Sequence, residues 1–182
     1  MWIRYHEKYC AGIEFEMTSY LIKGPWPGKL AIIPRPRGGD WLEDEVRSLR
    51  QDGFQIIVSM LTREEAEELD LTQEAAIVRD HGLQFLNYPV PDRGVPNSRE
   101  SAREFLETLH VDLLAGKKIA VHCRGSIGRA GLIASGLLVL SGIDPENAFH
   151  QVTAVRGISA PETAEQKDWV VTLALEPARS IA

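Results

Sequence analysis

Short apolar runs alternate with stretches of helical periodicity along most of the chain. Residues 30–33 predict a first strand. Asp40, followed by Leu42, Val46 and Leu49, predicts a helix capped by Asp40 and closed by Gly53. Residues 54–61, rich in Ile and Val, predict a second strand. Thr62 and Glu65 have the spacing of a capping box for a short helix, and Thr72 predicts the cap of another that ends at Gly82. Residues 84–90 predict a third strand. Residues 91–96 must then be loop, because Pro91, Gly94 and Pro96 break both regular structures. A long amphipathic helix is expected over 98–115, with Ala102, Phe105, Leu106, Leu109 and Leu113 as its buried stripe. Lys118–His122 predicts a fourth strand. The segment from about 129 to 140 predicts a helix apolar on every side, which belongs inside a core. Asp144 and Pro145 stand in N-cap and N1 order for the next helix, and Pro161 predicts the start of the last. Residues 1–29 carry no such pattern and are punctuated by Gly24-Pro25-Trp26-Pro27-Gly28.

Strands alternating with helices predict an α/β fold: a single domain over 1–182, with a mostly parallel central sheet and helices on both faces. Residues 30–182 form the expected core and 1–29 an irregular N-terminal extension. A chain of 182 residues suffices for one substantial core. Its net charge of -6 argues against nucleic acid as a partner. The most apolar stretch, 130–140, is too short to cross a bilayer and contains Gly131, Ser135 and Gly136. The N-terminus has no apolar run of the kind a signal peptide carries. The expectation is a cytoplasmic protein with no membrane partner. Of the two cysteines, Cys10 and Cys123, neither belongs to a disulfide framework in a chain of this size, so two reduced thiols are expected.

Cys123 stands in an unusual neighbourhood, Val121-His122-Cys123-Arg124-Gly125-Ser126-Ile127-Gly128-Arg129-Ala130-Gly131. A buried strand delivers the chain to a short loop, and a buried helix begins at once. Ligands of open α/β sheets bind at this end of the strands. The helix N-terminus offers unpaired N–H groups and a positive dipole end, and a loop wrapped into it suits an anion such as phosphate. Gly125 and Gly128 permit a tight turn and close backbone approach. The same field would stabilise a thiolate at Cys123. The planar guanidinium of Arg129 can hold two phosphoryl oxygens at once. A cation at a helix N-terminus is unfavourable unless an anion joins it, which favours a binding role for Arg129 over an ordinary helix-start arginine. Asp92, just past the third strand, is the candidate acid for a leaving group. It would share an edge with Cys123 if the third and fourth strands are neighbours. An ordinary turn role for Asp92 stays open.

His122-Cys123, five residues and Arg129 match the His-Cys-x5-Arg loop of the protein tyrosine phosphatase superfamily. Tyr88-Pro89-Val90-Pro91-Asp92-Arg93-Gly94-Val95-Pro96 resembles the general-acid loop of its small dual-specificity branch, and most of all that of kinase-associated phosphatases. The resemblance spans roughly residues 30–169. It implies a phosphomonoester hydrolase that needs no metal and no cofactor. Cys123 is its nucleophile, Asp92 its acid and then its base, and the loop of Arg124, Gly125, Ser126, Ile127, Gly128 and Arg129 its phosphate cradle. The implied partner is a phosphorylated protein or another phosphomonoester. Phosphotyrosine is the first expectation, with phosphoserine and phosphothreonine admitted by a shallow pocket. Arg124 and Ile127 stand where phosphoinositide-specific relatives carry paired lysines, which disfavours lipid phosphate.

Three positions depart from the family pattern. Ala130 stands where Ser or Thr stabilises the departing thiolate. Ser126 stands where Gly is usual, and either lends a hydroxyl or strains the loop. Glu162, in Ala160-Pro161-Glu162-Thr163-Ala164-Glu165-Gln166, stands where an amide positions water, and Gln166 matches a second family glutamine. These departures motivate one alternative, a phosphate-binding pseudophosphatase with little turnover. The other alternative is another thiolate-loop enzyme such as a sulfurtransferase or arsenate reductase, which also sets its cysteine in a phosphate-like loop, although Asp92 and the late position of the loop argue against it. His122 is expected to be structural. Arg93 and Arg124 form either a basic rim or solvated surface charge. His6 with Cys10 has helical ligand spacing, but two residues do not make a metal site. Cys10 is expected to be a plain thiol, a redox disulfide with Cys123 being the alternative. Trp2, Trp26, Trp41 and Trp169 are expected to pack.

Overall fold

The computed structural model describes residues 18–175. The readings at Trp2, His6 and Cys10 lie outside that span. Five strands form one sheet: β1 (Tyr20–Ile22), β2 (Lys29–Ile32), β3 (Ile56–Ser59), β4 (Gln84–Asn87) and β5 (Lys118–His122), in the order β1-β2-β5-β3-β4. Among the described strands, only β1 runs antiparallel to its neighbour; the other pairings are parallel. The expected α/β architecture is therefore present. A short strand, β1, stands where the pattern suggested irregular chain.

The side-chain period of two along each strand divides the core into two layers. Ile119 and Val121 of β5 and Ile56 and Val58 of β3 enter one cluster, with α4 (Arg99–Leu114), α5 (Gly128–Leu140), α6 (Pro145–Arg156) and α7 (Ala164–Ala174) above them. Ala120 and Ile57 face the other, covered by α1 (Leu42–Gln51) and α3 (Glu74–Asp80). The central strands β2, β5 and β3 are largely buried on both faces, as parallel sheets require, whereas the edge strands β1 and β4 are partly exposed. β5 lies between β2 and β3, and the nearly all-apolar α5 that follows it is buried from Gly128 to Val139.

Several local signals hold. Thr62 and Glu65 form a full capping box at α2 (Arg63–Glu68), Ser98 caps α4 through the Ser101 N–H, and Asp144 accepts from the N–H groups of Glu146 and Asn147. Others are corrected. Asp40 sits inside a 3-10 turn (Gly39–Trp41) that runs straight into α1, so it caps nothing. Gln73, not Thr72, precedes α3. Pro161 follows a cis peptide and lies ahead of α7, which begins at Ala164 because Thr163 and Gln166 supply the capping box. β3 and β4 are shorter than their apolar runs. The Met60 N–H still donates to the His122 carbonyl just past β3, the chain then turns at Leu61 toward α2, and Pro89 has no N–H to continue a ladder. Trp26 and Trp169 are buried, whereas Trp41 is exposed with the Arg37 guanidinium 4.3 Å over its ring.

On the far side of the sheet from α1, His110 packs edge-on to Trp26, with its Nε2 3.1 Å from the Ser141 hydroxyl. Burial pushes its pKa below the ordinary 6.5. The unfolded chain then binds a proton that the folded protein resists, so stability falls as pH drops below about 6.5. In His110→Gln, urea midpoints should change less between neutral pH and pH ~5 than in the wild type. An unaltered slope would contradict this.

Candidate active site

β5 brings His122 to the carboxyl edge of the sheet, the loop 123–127 turns there, and α5 starts at Gly128. The turn encloses a cavity of about 260 Å³ lined by Cys123, Arg124, Gly125, Ile127, Gly128 and Arg129, together with Asp92, Arg93 and Glu162. Thiol, guanidinium and candidate acid, which are up to 37 positions apart, thus meet at one concavity. Among the described residues, the backbone N–H groups of Arg124, Gly125, Ser126 and Ile127 have no hydrogen-bond acceptor. Four unpaired donors in one short turn at a helix N-terminus form an anion nest.

The lining omits Ser126, which is buried. Its hydroxyl donates to the Cys123 carbonyl at 3.4 Å, so it is turned into the loop and away from a ligand. It also carries φ +52°, while no glycine of the loop has positive φ. The strained position of the turn is therefore the serine, at a cost of roughly 1–2 kcal/mol for a non-glycine residue. Gly125 opens onto free space. Gly128 is required for close approach: a Cβ there would lie 2.9 Å from Gln166 Oε1 and 3.2 Å from Glu162 Oε2.

Arg129 is almost wholly buried and uses much of its donor capacity on the protein. It is bidentate to Glu65 at 2.6 and 2.8 Å, donates from Nη1 to the Val90 carbonyl at 2.8 Å, and from Nη2 to Asp92 Oδ1 at 2.8 Å. Burial alone would lower its pKa; the Glu65 hydrogen bonds and the charges of Cys123, Glu65 and Asp92 outweigh that and raise it. Burial would raise Glu65, but Arg129 and the Thr62 backbone N–H hold its carboxyl below the usual range. Sequence reasoning identified Glu65 only as a capping residue. It is also the carboxylate that fixes the guanidinium, since Oε2 accepts both Thr62 N–H and Arg129 Nη1.

Asp92 does not reach the site by the expected route. β4 is not beside β5, because β3 lies between them. The segment after β4 instead continues past β3, with Val90 N–H on the Met60 carbonyl, and a turn closed by Gly94 N–H on the Pro91 carbonyl aims Asp92 at Arg129. The Asp92 side chain is 60% exposed, so an incoming anion can displace it from Nη2. Gln166 is fully buried and ties together the chain around it. Its Oε1 accepts the N–H groups of Glu162 and Thr163, and its Nε2 donates to the Gly94 carbonyl. Glu162 does line the cavity, 3.6 Å from Arg93. The basic rim is thus balanced by carboxylates, with Arg124 bidentate to Glu68 at 2.7 and 2.6 Å. His122 is buried beside Glu74, with Nε2 2.8 Å from Oε1 but off the line of the ring N–H. A structural role for His122 accords with that. Ala130 is buried and brings no hydroxyl.

The family model described as the DSP-PTPase phosphatase of polymorphic toxin systems matches residues 33–143. "Cyclin-dependent kinase inhibitor 3" of Mus musculus is 32% identical over 130 residues, 71% of this chain, which spans 61% of that relative's length. Among solved structures, kinase-associated phosphatase with its catalytic-site cysteine replaced by serine superimposes with a TM-score of 0.79 at 22% identity, over 85% of this chain and 92% of that one. Tk-PTP in its active form gives 0.69 at 26% identity, over 82% and 94%.

Proposed function

The chain belongs to the DSP-PTPase phosphatase family, and from that premise we propose that it hydrolyses phosphomonoesters through a phosphocysteine at Cys123. The observation that carries the reading is the convergence of Cys123, Arg129 and Asp92 on one cavity walled by unpaired backbone donors. In the first step the Cys123 thiolate attacks phosphorus, an S–P bond forms, the ester P–O bond breaks, and Asp92 gives its proton to the leaving oxygen. Arg129 and the loop N–H groups hold the equatorial oxygens. In the second step Asp92, now a carboxylate, takes a proton from water. The water oxygen attacks phosphorus, and phosphate and thiolate separate. Nη2 of Arg129 becomes available to phosphate only when Asp92 leaves it, so substrate entry frees the carboxyl group for its proton transfers.

A cavity of about 260 Å³ has room for a phosphate and part of the side chain that carries it, which supports tolerance among phosphotyrosine, phosphoserine and phosphothreonine on a protein substrate. A cytoplasmic location suits a nucleophile that must stay a reduced thiol. Among the described residues no helix is long and apolar enough to cross a membrane.

Ala130 removes the hydroxyl that would help expel the thiolate, and Glu162 puts a negative charge where an amide would orient water. Rapid mixing with p-nitrophenyl phosphate in the presence of a chelator should give a near-stoichiometric burst of nitrophenol followed by a slower steady state. Linear release from the first turnover would contradict slow breakdown of the intermediate. Ala130 and Glu162 also motivate the phosphate-binding alternative. Metal-independent turnover that disappears in Cys123→Ser eliminates it, and sulfur transfer from thiosulfate would instead support a sulfurtransferase.

A further inference from the structure

Ser126 is the strained residue of the anion loop, and one side chain from outside the loop grips it. The Arg156 Nε donates to the Ser126 carbonyl at 2.9 Å. Arg156 is the last residue of α6, where a cation meets the negative end of the helix dipole. Its guanidinium lies 3.9 Å over the ring of Tyr20, the first residue of β1. Neither Tyr20 nor Arg156 lines the cavity, and both fall outside residues 33–143 that the family model covers.

The peptide after Ser126 is trans, so its carbonyl and the Ile127 N–H point in opposite directions. Holding the carbonyl on the outer side presents the Ile127 N–H to the cavity that Ile127 lines. Rotation of Ser126 out of its left-handed conformation, which changes its φ and ψ together, would relieve its strain and turn this peptide over. It would also turn a carbonyl dipole toward the anion and withdraw one donor. Ser126 supplies only a long hydroxyl contact to Cys123 against that flip.

We infer that Tyr20 and Arg156 form a brace that locks the Ser126–Ile127 peptide in its anion-binding orientation, making Arg156 a positioning residue for the phosphate loop. The inference rests on the phosphatase reading and adds to it a role for the N-terminal strand. Stacking on Tyr20 holds the guanidinium in place, and the guanidinium holds the carbonyl.

The test measures tungstate affinity, together with kcat and KM for p-nitrophenyl phosphate, in wild type, Arg156→Ala, Tyr20→Leu and Arg156→Ala with Ser126→Gly. Arg156→Ala should weaken tungstate binding and lower kcat/KM at least tenfold, and Tyr20→Leu should lower both by a smaller factor. Adding Ser126→Gly should recover at least threefold of the loss, because glycine adopts positive φ without strain and the loop then needs less support. Arg156→Ala values within threefold of wild type would overturn the brace while leaving the phosphatase reading intact. So would a loss that Ser126→Gly fails to relieve, since that would indicate general packing damage. Should Arg156→Ala not fold, Tyr20→Leu decides alone: unchanged tungstate affinity overturns the inference. A wild type that neither binds tungstate nor turns over would instead bring down the phosphatase reading.

Discussion

Cys123→Ser should lose aryl phosphate turnover by on the order of 10⁴-fold or more, the scale seen when a nucleophile acting in concert with other groups is removed. The serine hydroxyl remains protonated where the thiol can ionise, so no strong nucleophile faces the phosphorus. The binding apparatus is untouched: the unpaired N–H groups of the loop and the Arg129 guanidinium belong to other residues. Phosphate and tungstate should therefore bind Cys123→Ser within about threefold of wild type, or more tightly, because a thiolate no longer repels the anion. Isothermal titration alongside the assay separates the two effects. Residual turnover above a few per cent would exclude Cys123 as nucleophile.

Arg129→Lys should cost a further kind of function. The guanidinium is held flat by two hydrogen bonds to Glu65, leaving Nη2 aimed at the cavity where Asp92 now meets it. An ammonium keeps the charge but cannot serve Glu65 and a phosphoryl oxygen with a planar fork. A loss of roughly 10³-fold or more in kcat/KM is expected, comparable to losing an arginine from a phosphoryl-transfer site, together with weakened tungstate binding. Arg129→Ala should in addition destabilise the fold by about 3–5 kcal/mol, because it strands a buried carboxylate at Glu65. Denaturation midpoints set against kinetics distinguish these outcomes, and Arg129→Lys activity within tenfold of wild type would refute the clamp.

What was legible in the sequence was local. The Thr62–Glu65 box, the Asp144–Pro145 helix start, β5 and the buried α5 are each written in a few adjacent residues, and each stands where its pattern put it. The two ends of the anion loop were legible for the same reason, since strand, turn and helix are contiguous. Pairings between distant segments were not. Glu65 looks like any capping glutamate until α2 is folded against Arg129, 64 positions away. The Glu74 neighbour of His122 and the Arg156 grip on Ser126 likewise leave no trace in periodicity. Sheet order is also a through-space property. Inserting β5 between β2 and β3 displaced the expected neighbour of β4 and obliged the Asp92 loop to reach across β3. The misplaced caps at Asp40, Thr72 and Pro161 have a different cause: cap-forming residues also suit the turns that precede a helix.

The most direct measurement is a denaturing quench during turnover of an aryl phosphate, followed by peptide mapping of the protein-bound phosphoryl group. The account predicts that it sits on the peptide containing Cys123 and is absent from Cys123→Ser. Product release with no protein-bound phosphoryl group, or a phosphoryl group mapped to another residue, would contradict it.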